Sequence, residues 1–339
     1  MPSPEVHAQI RERLEELYGR HIAVDDERLD HYYESRRGDY APDAAGEERD
    51  RFAICLATVD GEAYETGDHD LRFSLHSISK VFAYALALAD NAREEVLARV
   101  GVEPSGDPYN SITFDERHHR PHNPMVNAGA LVTSDLVRGD GTAQKFARIL
   151  AFVRSCAGDE TLDVDEEGFE HELRGADRNR ATAYLMRAEG MFAGDVEEML
   201  ELYLRQCSVQ VTCTQLAVIG ATLANGGVNP RTGERALARE RIRDLLSVMY
   251  TCGMYDAAGQ WAYEIGVPAK SGVAGAILAV VPGKMGIGVY SPGLDSYGNS
   301  VRGVSVCREI SAALGLHVFA TEDEDALLGP AAPAIEQLT

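Results

Sequence analysis

The sequence predicts a mixed α/β (α+β) protein built on one antiparallel sheet, with a long helical stretch inserted between the two halves of that sheet. Three observations carry this reading. RFAICLATVDGEAYETGD alternates around Asp60-Gly61, a strong signal for two antiparallel strands joined by a tight turn. Helical periodicity follows from Ser77 to Gly101 and again, mostly, over about 126–255. Beyond it, QWAYEIGVPAKSGVAGAILAVVPGKMGIGVYSP returns to β-rich runs divided by Gly and Pro.

Each element has a local reason. The first twenty residues carry Ile10, Leu14 and Leu17 on one helical face, with Gly19 as the stop. After a polar stretch, AAGEERDR (44–51) reads as a loop. SISKVFAYALALADNAREEVLARVG reads as one long helix ended by Gly101. The helical region is punctuated at GDGT, GADRN and NGGVNPRTGE, and a last helix falls near 300–315. One domain over 1–316 is expected, its sheet-forming segments 51–76 and 258–316 flanking a helical subdomain at about 82–250. The acidic residues 317–339, bearing Ala and Pro, read as a disordered tail. This order brings the start of the Ser77 helix close to the later strands.

Composition narrows the class. With 45 % hydrophobic and 25 % charged residues, the 339-residue chain has the make-up of a folded globular protein. Its net charge of −22, from 54 acidic against 32 basic residues, repels phosphate backbones and anionic membranes, so neither nucleic acid nor a membrane is an expected partner. Most of that charge reads as a solvated acidic surface. Cys55, Cys156, Cys207, Cys213, Cys252 and Cys307 form no C-x-x-C pair, which fits neither a zinc site nor a disulfide framework; reduced, buried thiols are expected. MPSPEVHAQIRERLEELYG lacks the apolar core of a signal peptide, and VFAYALALA and AGAILAVV are too short to span a bilayer. A cytoplasmic location follows as the expectation.

Ser77 and Lys80 stand in FSLHSISKVF, where strand signals give way to helix, and i, i+3 spacing puts both on one helical face. A serine is a weak nucleophile until a base takes its proton, and a lysine serves once its pKa is brought toward neutrality. The helix start also offers N–H groups to an oxyanion. The bare S-x-x-K pattern is common. Here 17 serines meet only 4 lysines, against 28 arginines, so about 0.2 such pairs are expected by chance. Arginine cannot replace a lysine acting as a base, because guanidinium stays protonated. Lys270 lies in PAKSGVAG, a K-[ST]-G pattern of the kind that accompanies S-x-x-K in penicillin-recognising enzymes; Ala269 rules out a P-loop. Lys145 and Lys284 read as ordinary surface residues. His118, His119 and His122 lack a carboxylate at ligand spacing and read as structural. Gly283, Gly286 and Gly288 make no dinucleotide fingerprint and read as strand-edge turns.

From Thr58 to Gly275 the chain shows TVDG with TGD, SISK, EPSG, PHNPMVNAGA, GADRN, YLRQCS with VTC, LANGGVNPRTGE, CGMYDAAGQ and PAKSGVAG. With these blocks, over about Tyr40 to His317, it resembles the glutaminases of bacteria and animal mitochondria, relatives of serine β-lactamases and penicillin-binding proteins. The resemblance implies a β-lactamase/transpeptidase-like fold and hydrolysis of L-glutamine to glutamate and ammonia. Ser77 would be the nucleophile and Lys80 its base. Tyr40 would close over the substrate, Asn127 would hold it, and Glu172, Asn179 and Tyr203 would complete the binding side. Tyr255 would stand beside the nucleophile as a proton relay, and the N–H of Val273 would be the second oxyanion donor. The water that releases glutamate would be activated by Lys80 or by Tyr255. Taken singly, Tyr203 and Tyr255 read as packing residues, Asn127 and Asn179 as caps, and Glu172 as a solvated charge. Their joint order in the motifs reverses that. His76, before the serine, departs from the family's usual glutamine, and GDYAPD from its Y-I-P.

The resemblance further implies no metal, no cofactor and a homo-oligomer, dimer or tetramer. Two other readings share the motifs. One is a penicillin-binding or β-lactamase-type hydrolase, against which the missing signal peptide weighs. The other is a catalytically inactive binding or scaffold protein of the same fold, against which intact Ser77, Lys80 and Glu172 weigh.

Overall fold

The computed structural model describes residues 4–24, 26–35, 48–107, 111–115 and 117–320. Helices α1 (Pro4–Ile22) and α2 (Glu27–Ser35) precede the hairpin β1 (Ala53–Thr58) and β2 (Ala63–Gly67). A two-residue strand β3 (Phe73–Ser74) leads into α3 (Ser79–Asp90) and α4 (Arg93–Arg99). Then come α5 (Asn127–Leu136), α6 (Gly141–Ala157), α7 (Glu166–Arg174), α8 (Asp177–Ala188) and α9 (Val196–Cys207). Strand β4 (Gln210–Val211), α10 (Cys213–Ala224), α11 (Arg239–Cys252) and α12 (Ala258–Glu264) follow. The chain returns through β5 (Ala269–Gly272), β6 (Ala276–Val281), β7 (Met285–Tyr290) and α13 (Val301–Leu314).

The main sheet runs β2-β1-β7-β6-β5, every pair antiparallel. The N-terminal hairpin therefore pairs with the last strand, and the helices between are an insertion, as the pattern predicts. Alternation along β1 sends Cys55 and Ala57 into one core and Ile54 and Leu56 into the other. Strands β1, β5, β6 and β7 are buried along their whole length, so both faces of the sheet are covered. The inserted helices, with α10 against the strands, cover one face; α1, α12 and α13 cover the other.

Several expectations are corrected. The Ser77 run is not one helix: a short 3-10 turn at His76–Ile78 precedes α3, and the chain is extended at Asn91. The Asn91 side chain donates to the Ala87 and Leu136 carbonyls, satisfying one open end of α3 and ending it. QWAYE is helical, not β. Ala258, Trp261 and Ile265 recur at helical spacing and are buried, while Tyr263 points to water. Helix α1 passes Gly19 and ends at Ile22, which packs on the core. In 44–51 the described residues 48–50 are helical.

Two of the three PGKMGIG glycines are not turn residues either. Gly283 does make the β6–β7 turn, with φ 75°. Gly286 and Gly288 lie inside β7 where α10 rests on it backbone to backbone. A Cβ at Gly286 would meet Ala217 O and Ala221 N at 2.2 Å, and one at Gly288 would meet Cys213 O at 2.6 Å. Gly286→Ala should therefore cost about 3 kcal/mol or more in urea unfolding, because backbone cannot step aside. Gly283→Ala, strained but facing open space, should cost only about 1–2 kcal/mol. Equal midpoints would refute this account of the helix–sheet contact.

Candidate active site

Ser77 sits in the 3-10 turn between β3 and α3. His76, before it, has φ 43°, a region that side-chain-bearing residues seldom adopt. The sharp turn leaves Ser77 half-buried while Ile78 and Lys80 enter the interior. Lys80 Nζ lies 2.9 Å from Ser77 Oγ, the contact that i, i+3 spacing predicts.

Asn127, the first residue of α5, joins the binding-side residues to this pair. Its Oδ1 accepts from Lys80 Nζ at 2.7 Å and from Tyr203 OH at 3.2 Å, and its Nδ2 donates to Asn179 Oδ1 at 2.8 Å. Tyr203 comes from α9 and Asn179 from α8, so four helices converge on Ser77. All these partners are neutral. Burial lowers the Lys80 pKa from 10.5 to about 8, and burial raises the Tyr203 phenol well above its ordinary value, so it stays a donor.

The later strands close the site from the other side. A Cβ at Gly272 would lie 2.8 Å from Leu75 O, which shows how closely β5 rests on the Ser77 turn. Val273 is the first residue past β5, and its N–H lies beyond the last β5–β6 pair, Gly272 with Ala276. Tyr255 opens a second 3-10 turn, Tyr255–Ala257, with φ 55°, and its OH donates to Ser271 O at 3.4 Å. Lys270 is fully buried beneath it: Nζ donates to Ser271 O at 2.8 Å and lies 4.1 Å from the Tyr255 ring centre.

Glu172, exposed on α7, lines a cavity of about 400 Å³ with His76, Ser74 and Ser208, beside the Ser77 turn. Burial depresses the His76 pKa and the Glu172 charge opposes that shift. A larger cavity of about 640 Å³ lies between α2 and α12, and Ser77, Lys80, Asn127 and Glu172 are absent from its walls. Tyr40 and the tail from Thr321 lie outside the described residues.

Two residues without a predicted role belong to this region. Lys270 was visible as one of four lysines and in K-S-G, but its placement under Tyr255 was not. Cys207, one helical turn beyond Tyr203, sets Sγ 3.5 Å from Ser79 Oγ, and burial raises its thiol pKa. The other five cysteines are also free and buried. Lys145 is not an ordinary surface residue: Nζ donates to Asp135 O at 2.6 Å and to its carboxylate at 3.1 Å. His118 pairs with Asp115, and no cluster of three His, Cys, Asp or Glu among the described residues could hold a metal.

An antiparallel sheet interrupted by helices, with a lysine set against a serine at a helix start, is the architecture of the β-lactamase-like fold. The glutaminase family model matches residues 36–319. Glutaminase of Trichormus variabilis is 54 % identical over 83 % of this chain and 84 % of its own, and Glutaminase 2 of Clostridium perfringens is 44 % identical over 83 % and 92 %. The crystal structure of Mglu in its tris and glutamate form aligns with a TM-score of 0.82 at 39 % identity, over 95 % of this chain and 69 % of that one. The structure of the probable glutaminase ybaS aligns at 0.79 and 39 %, over 88 % and 100 %. The chain belongs to the glutaminase family.

The depressed pKa of Lys80 has a stability consequence. The folded state binds this proton less tightly than the unfolded chain does, so the penalty is full below about pH 8 and fades as pH rises to 10.5. At pH 7 it amounts to about 3 kcal/mol, against about 1–2 kcal/mol for the hydrogen bonds to Ser77 and Asn127. Lys80→Met should raise stability by about 1–2 kcal/mol at pH 7, and the gain should disappear above pH 10.5. A variant less stable than the parent at pH 7 would contradict this.

Proposed function

We propose that this glutaminase hydrolyses L-glutamine through an acyl-enzyme on Ser77, with Lys80 as the base. The observation that carries the reading is the buried Lys80 Nζ, 2.9 Å from Ser77 Oγ and free of any carboxylate partner among the described residues. Neutral Lys80 donates an N–H to Asn127 Oδ1 and turns its lone pair to the Ser77 hydroxyl. Ser77 Oγ attacks the glutamine side-chain carbonyl as the proton passes to Nζ, and the N–H groups of Ser77 and Val273 hold the oxyanion. Collapse breaks the C–N bond; the amide nitrogen takes up the proton and leaves as ammonia. Water then attacks the ester as its proton passes to Lys80; the ester C–O bond breaks, Nζ returns that proton to Ser77 Oγ, and glutamate departs. Lys80 is favoured over Tyr255 as the base for this water because the Tyr255 phenol is donated to Ser271 O, and the Tyr255 hydroxyl is given the relay role, passing the Nζ proton to the departing nitrogen.

Glu172 suits the substrate ammonium, and the neutral Asn127, Asn179 and Tyr203 suit its carboxylate without a competing cation. Tyr40 is proposed to close over the substrate on the sequence resemblance alone. The cycle as drawn calls on no metal or cofactor. The free, buried thiols support a reducing, cytoplasmic setting. A homo-oligomer, dimer or tetramer, is proposed on the sequence resemblance alone; a monomeric mass by light scattering at micromolar concentration would remove that part.

Ser77→Ala should abolish ammonia release from glutamine while leaving the thermal melt in place. In the parent, kcat/KM should rise about tenfold per pH unit up to about pH 8 and then level off, since only neutral Lys80 accepts the serine proton. Turnover retained by Ser77→Ala, or a flat profile from pH 6 to 8, would overturn the assignment.

A further inference from the structure

We propose that Lys270 is a positioning residue that holds the Tyr255 hydroxyl in place from beneath its ring; the proposal rests on the Ser77 acyl-enzyme reading. Lys270 is fully buried on β5, yet the cycle above gives it no task. Its Nζ makes two contacts with the Tyr255 assembly. One N–H is donated to Ser271 O at 2.8 Å, the same carbonyl that accepts from Tyr255 OH at 3.4 Å. The nitrogen also lies 4.1 Å from the centre of the Tyr255 ring, where an N–H meets the electron-rich face. Tyr255 needs such a hold. Its φ of 55° is a conformation that persists only when the surroundings over-determine it. Gly253, two residues earlier, presses backbone to backbone on β5: a Cβ there would fall 1.7 Å from Ala269 O. The turn is thus anchored at its entry by Gly253 and at its ring by Lys270.

The task needs only the N–H groups of Lys270, and its surroundings disfavour a charge on it. The groups that bear on it are Lys80 on α3, Cys207 on α9 and Tyr255 itself, with no carboxylate among them. Burial first, and the Lys80 cation second, lower its pKa well below the ordinary lysine value. A neutral Lys270 leaves Lys80 free to take and return the serine proton without a second positive charge nearby. Its stem also fills the core under the ring, so loss of packing must be separated from loss of positioning.

The test is a double-mutant cycle with glutamine as substrate. Lys270→Met keeps the buried stem and removes the N–H groups. It should lower kcat 30- to 100-fold with KM within threefold of the parent, and add less than threefold loss in a Tyr255→Phe background, where there is no hydroxyl left to position. Lys270→Gln keeps a neutral donor and should retain kcat within fivefold, with the pH midpoint near 8 unmoved; it also serves if Lys270→Met does not fold. The proposal is overturned if Lys270→Met costs the same factor with and without the Tyr255 hydroxyl, or leaves kcat within threefold. It is equally overturned if Lys270→Gln folds but is as inactive as Lys270→Met, or moves the midpoint by more than half a unit. Activity surviving Ser77→Ala is a separate result, one that removes the acyl-enzyme and leaves these comparisons readable.

Discussion

A lysine amine held in the interior with no carboxylate beside it is the condition on which the rest of the site depends. Lys80 is the second residue of α3, so the positive end of the helix dipole adds to burial in disfavouring its cation. Its two hydrogen-bond partners among the described residues, Ser77 Oγ and Asn127 Oδ1, are neutral. A carboxylate in this shell would stabilise the ammonium and remove the base. Glu172, the acid proposed for the substrate ammonium, is exposed at the cavity, and its field reaches Tyr203 and His76 without an ion pair to Lys80.

The fold supplies this setting by closing two far parts of the chain over each other. The Ser77 turn leaves the N-terminal half of the sheet, and Val273 and Tyr255 arrive with the C-terminal half. They meet because β1 pairs with β7, and β5 lies three strands from β1 in the same sheet. Close contact then depends on glycine at Gly272 and Gly253, where any side chain would strike a backbone carbonyl. Strain collects at this seam. Among the described residues three non-glycine residues have positive φ, and two of them, His76 and Tyr255, flank the reaction centre. Strain of this kind survives only inside well-packed surroundings, which the backbone contacts provide.

Much of this was legible in the chain itself. The hairpin at Asp60-Gly61 and the helical stretch after Ser77 follow from local turn chemistry and periodicity, and both were readable. The S-x-x-K pair gained weight from lysine scarcity and from the ordered motifs around it. What escaped is set by tertiary contact. QWAYE has β-rich aromatics, but burial of Trp261 against the back of the sheet, with its Nε1–H donated to Val267 O, made it a helix. The break at Asn91 depends on the Leu136 carbonyl, 45 residues away. Gly286 and Gly288 look like any strand glycines until α10 is laid on them. Lys270 was visible as a motif and silent as a function, because its meaning lies in a tyrosine fifteen residues earlier whose backbone conformation no local pattern reveals.

The two buried lysines also explain each other. Were both charged, two cations would share one dry region, and burial would act against each. The environment divides them: both are fully buried, but Lys80 keeps a pKa of about 8, whereas Lys270 is pushed well below the ordinary lysine value by burial and by the charge of Lys80. Of the two, Lys80 is therefore the amine that more readily carries a proton. The proposed cycle requires that amine to be neutral when the Ser77 proton arrives and then to give the proton up to the departing nitrogen. An arginine at either position would hold a permanent charge there and remove the division, which gives a chemical reason for a chain with 28 arginines to place two of its four lysines here.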